Sequence, residues 1–199
     1  IGYQAGQSAQ NANSIAIGEG AGKASQNTGS IAIGTFSGQT NQQIYAISVG
    51  TNAGSINQQS ASIAIGSYAG ERNQQAYSIA IGSEAGNTGQ DLYSIGIGYQ
   101  AAFVDQSFAS VAIGSQAGMT GQSSRSVAIG HEAGGLNQDN NCVAIGYQAG
   151  KNSQKPSSIS IGHLAGSISQ ELESIAIGHF TGRLNQGVHC VAVGNNCGH

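Results

Sequence analysis

The chain has 199 residues, of which 8% are charged, and a formal net charge of −3. That composition offers no basic face for nucleic acid, and no apolar run approaches the roughly 18 residues of a membrane-spanning helix. Gly is abundant at 32 residues and Pro occurs once; such a mix suits disorder, but the apolar residues, 39% of the chain, are strictly spaced.

The spacing is a repeat, and internal repeats decide architecture first. A Gly preceded by an apolar residue recurs at Gly2, Gly18, Gly34, Gly50 and every 16 residues thereafter to Gly194, with no insertion. Counting from that Gly as position 0, the unit reads I-G-x-x-A-G-x-x-x-Q-x-x-x-S-I-A. Position 3 is small, as in Ala21, Ser37, Thr181 and Cys197, and position 4 is Gly except at Ala102. Helical repeats need about 33 residues or more, so 16 residues with an Ile-Ala-Ile triplet before each Gly predict one coil of a parallel β-solenoid. The fold class expected is all-β, a β-roll of about twelve 16-residue coils, as a single uninterrupted domain over 1–199 with no evident caps. Coils of one length stack like on like, about 4.8 Å apart.

Within each coil the elements follow in order. The two Gly are expected to turn corners. Position 8 is Gln throughout: Gln10, Gln26, Gln42, Gln58, Gln74, Gln90, Gln106, Gln122, Gln138, Gln154, Gln170 and Gln186. A buried amide needs partners, and Gln above Gln supplies them as in cross-β stacks, so these residues are read as a structural ladder. Positions 13 and 15 are only Ile or Val and share one strand face, which is expected to line the interior. The opposite face holds Ser14, Ala16, Ser30, Ala32, Ser62, Ala64, Ser78, Ala80, Ser110, Ala112, Ser126, Ala128, Ser174 and Ala176. Residues so uniformly small imply a surface approached closely by another, and a strand apolar on both faces is covered on both. This is the expected self-association face.

Ser-Ile-Ala-Ile-Gly-x-x-Ala, as at Ser14–Ala21 and Ser78–Ala85, resembles the head repeats of trimeric autotransporter adhesins and related viral and phage fibre repeats. The resemblance implies a left-handed parallel β-roll, packed as a homo-oligomer, displayed on a cell or virion surface, with a host surface protein or glycan as partner. Ile-Gly-x-x-Ala-Gly also looks like the hexapeptide of left-handed-helix acyltransferases, but it occurs once per coil instead of three times. Calcium-binding nonapeptides need a recurrent Asp and ice-binding solenoids a Thr ladder; neither recurs.

Catalysis needs a few unique residues in fixed geometry, and the carboxylates fall at scattered coil positions, so no enzyme and no cofactor is expected. Gly18-Glu19-Gly20-Ala21-Gly22 mimics a phosphate loop but lacks its Lys and helix. His163 and His179 share position 1 in adjacent coils and are the weak candidates for a metal. Cys142 and Cys190 replace Ser at position 12 and Cys197 replaces Ala at position 3; at three coils apart Cys142 and Cys190 are too distant for a bond within one chain. Tyr45, Tyr77 and Tyr93 at position 11, with Tyr3, Tyr99 and Tyr147 at position 1, could offer platforms for sugars. The function expected is a non-enzymatic extracellular fibre or filament whose partner is itself, the coils running on from one molecule to the next. The alternative is a trimeric adhesin head or viral fibre segment that binds a host surface ligand.

Overall fold

The computed structural model describes residues 1–198. Its regular elements are all three-residue β-strands, paired in parallel, in a β-solenoid of about twelve turns. The chain forms two compact units, Ile1–Gln100 and Ala101–His199. In the first unit the strands Ile15–Ile17, Ile31–Ile33, Ile47–Val49, Ile63–Ile65, Ile79–Ile81 and Ile95–Ile97 stack in that order. The second unit repeats the arrangement from Val111–Ile113 to Val191–Val193. Register is fixed by the period: Ile47 pairs with Ile63, Ile63 with Ile79, and Val127 with Val143, each 16 residues on. Positions 6–8 build two further parallel sheets among the described residues; in the second unit Val104–Gln106 and Thr120–Gln122 pair at Gln106 and Gln122.

The strands are short because each coil turns five times, where two Gly corners were expected. Every non-Gly residue at positions 2, 7 and 11 has φ between 48° and 60°, in addition to the Gly at positions 0 and 4. This left-handed conformation costs an L-residue about 1–2 kcal/mol. The backbone bonds explain why it is adopted. Gly38 N–H donates forward to Ala53 O at 2.9 Å, while Phe36 N–H donates backward to Glu19 O at 2.8 Å. The positive φ reverses the direction of a single amide, so that coils above and below are both served and few buried backbone groups go unpaired.

The interior is the reverse of the expectation. Ser30, Ala32, Ser62, Ala64, Ser78, Ala80, Ser110, Ala112, Ser126, Ala128, Ser174 and Ala176 are all fully buried inside the coils, and Ala16, beside Ser14, is 7% exposed. They are not a self-association face, since the same chain already covers them. The Ile/Val residues of positions 13 and 15 point outward instead, half-buried or exposed, as at Ile17, Ile65 and Ile145. Volume is the reason. A Cβ placed on Gly86 would sit 3.1 Å from the Ala80 Cβ, and one on Gly118 would sit 3.2 Å from the Ala112 Cβ. The two walls of a coil therefore meet across Gly at position 4 and Ala at position 14, and no Ile or Val fits between them there.

Position 0 is the tightest point. A Cβ on Gly66 would lie 2.5 Å from Gly82 O, with φ already at +129°. Gly66→Ala is expected to cost several kcal/mol, roughly the sum of strain and overpacking, and to lower the thermal midpoint sharply in circular dichroism. Ala61→Gly, at φ 54° on a position-11 corner, should instead raise the midpoint, by up to about 1 kcal/mol of relieved strain.

Candidate assembly surface

From Gln26 to Gln186 each coil interior is filled by one Gln amide beside Ser and Ala, whereas Gln10, expected in the same ladder, is exposed in the first coil, where no preceding coil covers it. Ten of the twelve largest fully buried side chains are the glutamines from Gln26 to Gln170, with Thr181 and Cys142 completing the set. The amide nitrogen of Gln74 donates to Ile63 O of the coil before at 2.8 Å and meets Gln90 Oε1 of the coil after at 3.2 Å. The same links join Gln42 to Gln58 and Gln58 to Gln74 in the first unit, and Gln106, Gln122, Gln138 and Gln154 in the second. In both units the chain of amides runs through the core as a ladder. At Gln170 the amide oxygen also accepts from Ser160 Oγ at 2.5 Å, because Ser replaces Ala at position 14 there. The oxygens of Gln26 and Gln42 are buried without a partner, an uncompensated cost of about 1–3 kcal/mol each. Position-12 hydroxyls close the adjoining corner: Ser62 Oγ donates to Gln59 O at 2.7 Å and Ser78 Oγ to Gln75 O at 2.6 Å.

With the polar groups turned inward, the outward strand face is apolar. Two lanes of Ile and Val run along each unit, one rung per coil, with no charged residue at positions 12–15. The lanes are two residues apart, about 6.8 Å, and the rungs about 4.8 Å. Ile65 is 38% exposed and Ile113 37%. Contiguous exposed apolar strips are characteristic of interaction surfaces. The signal was in the sequence: residues small enough for close approach imply a narrow wall-to-wall gap, and the wall that approaches is the far side of the same coil.

The turns carry the remaining candidates. His131, Tyr147, His163 and His179 at position 1 form a continuous stack, with ring centroids 5.3, 5.1 and 5.0 Å apart. Tyr77 and Tyr93 stack likewise at 5.4 Å. Rings stacked on each other cover their own faces, so inside a column they present edges where a sugar platform would present a face. Lys151 Nζ stands 2.6 Å from Glu132 Oε2, and that contact, with a further bond from Gln148, holds the Glu132 carboxyl below its usual range against an opposing effect of burial. The pair flanks a shallow groove over Gly135, Met119 and Leu136. Cys142 is buried, its Sγ 3.0 Å from Lys155 O, and burial pushes its thiol up, away from the reactive thiolate. Cys190 is exposed and Cys197 half-buried. Among the described residues no three His, Cys, Asp or Glu gather as a metal site, and no helix is long and apolar enough to cross a membrane.

Compared with known proteins, the chain matches no family model, no curated protein and no solved structure. The repeat and its geometry are therefore the whole basis for a functional reading.

The ladder makes a pH-dependent prediction. Gln74→Glu replaces a donor with an acceptor opposite Ile63 O and Gln90 Oε1. The buried carboxyl must stay protonated, so its folded pKa lies above its unfolded one. Stability is retained below the unfolded pKa of about 4.3 and falls as pH rises through the folded value. Chemical denaturation should show the variant closest to the parent near pH 4 and much less stable at pH 7.

Proposed function

We propose that the protein is a non-enzymatic structural component of an extracellular fibre or filament, built by lateral packing of chains through the Ile/Val face. The observation that carries this reading is the uncharged two-lane strip itself. In each unit it carries one Ile or Val per lane at every coil, half-buried or exposed along its length. The occupant that fits is a second copy of this chain. A second copy carries the same two uncharged lanes, with an Ile or Val at every rung and rungs about 4.8 Å apart, so that a contact made at one coil recurs at the next. Interlocking methyl groups at a regular interval are how dry sheet interfaces gain their stability. Uniform coils suit a mechanical role, because no coil is set apart by an insertion.

A second reading draws on the turns. At positions 1 and 2 the side chains differ from coil to coil: Tyr147, His163 and His179 in one column, Gln148, Leu164 and Phe180 in the next. A trimeric adhesin head or viral fibre segment would present such a variable edge to a host surface protein or glycan. Saturable binding to a matrix-protein or glycan array would favour this reading over a purely mechanical one.

The lateral-packing reading is tested with the double variant Ile129→Lys, Ile145→Lys, both on the exposed lane. Sedimentation of the parent chain should show association that the variant has lost, with the circular dichroism melting curve shifted by no more than about 1 kcal/mol, as for surface changes. A parent that sediments as a monomer at high concentration, or a variant that assembles as before, overturns it.

A further inference from the structure

The stacked column at position 1 holds an adjacent pair of imidazoles, and the assembly reading makes no use of it. His163 and His179 occupy the same place in successive coils, exposed, with ring centroids 5.0 Å apart and planes inclined by 21°. Phe180 packs edge-to-face against both, at 5.2 Å from His163 and 4.2 Å from His179. The Arg183 guanidinium sits over the Phe180 ring at 5.4 Å. Both imidazoles thus pack against one shared aromatic neighbour.

His179 also has a polar neighbour for one ring nitrogen. His179 Nδ1 lies 3.2 Å from Asn195 Oδ1. With Nδ1 donating to that oxygen, Nε2 keeps its lone pair for a metal. This is the outer bond that fixes a metal-ligating His in its tautomer.

We propose that His163 and His179 form a two-imidazole site for a divalent transition ion of borderline softness, such as Zn²⁺, Ni²⁺ or Cu²⁺. A tetrahedral ion bound by two nitrogens at about 2.1 Å keeps them roughly 3.4 Å apart. The tilt already present and a turn about the broad χ2 torsion bring the two rings to that separation. Water fills the remaining positions, so the site is open and exchangeable. His131 stacks on Tyr147 instead of on another imidazole and supplies no second nitrogen, which makes it the internal control.

The test is isothermal titration calorimetry of the full chain with ZnCl₂ at pH 7.5. The expected result is one saturable site per chain. His163→Gln and His179→Gln should each weaken it at least tenfold, while His131→Gln leaves it unchanged. The double variant Cys190→Ser, Cys197→Ser should also bind as the parent does, which separates imidazole from thiol ligation. Both histidines are exposed, and circular dichroism should confirm the parent fold in each variant. No saturable binding in the parent, binding that survives either His163→Gln or His179→Gln, or binding lost with the cysteines overturns the proposal.

Discussion

The structure depends on the width of the coil interior. Sixteen residues turned through five corners leave a lumen that Gly and Ala close from opposite walls, and the space left over admits one unbranched side chain per coil. Gln fills it and also bridges backbone carbonyls of two coils, which no aliphatic chain of that length could do. A small domain ordinarily draws its stability from buried Leu, Ile and Phe. Here the largest fully buried side chains are almost all amides, so hydrogen bonds and backbone pairing carry a burden that apolar area carries elsewhere. This makes the fold intolerant at the core: an amide has no substitute that both fills the volume and donates in two directions.

The same narrowness explains the surface. Apolar β-branched residues give the strands their propensity, yet the lumen excludes them, so they are displaced outward as two lanes. A partner surface is then a by-product of fitting the strand to the coil. The corners follow suit. Amides must point alternately to the coil before and the coil after, and left-handed residues such as Tyr45, Tyr77 and Leu164 accept strain because two neighbouring coils hold them in it.

Much of this was legible in the residues. Period, strand triplets, parallel register and the amide ladder all followed from spacing and from the invariance of position 8. Sidedness did not. Hydrophobicity ranks Ile above Ala for the interior, and that ranking assumes room for either. At this coil length room was the deciding quantity, and it appears in the sequence only as smallness at positions 3, 12 and 14. The extra corners were hidden for another reason. Gly marks two of five; at position 7 the Asn of Asn41, Asn57 and Asn73 is a faint sign of positive φ, and at position 11 residues as unlike as Arg125, Tyr93 and Ala109 carry none. There the neighbours dictate the backbone, and local propensity is overruled.

Register fixed at an interval of 16 also governs how such a gene can change. A deletion or duplication of one whole unit, begun at any residue, removes or adds a coil and leaves every remaining side chain opposite its like. An insertion of a single residue shifts Gln out of its column and Ile onto the wrong face in the coil that receives it. Length is thus the cheapest property for this sequence to vary, and unequal recombination between repeats the readiest way to vary it. Relatives would then differ in their number of coils before they differ in the composition of any one.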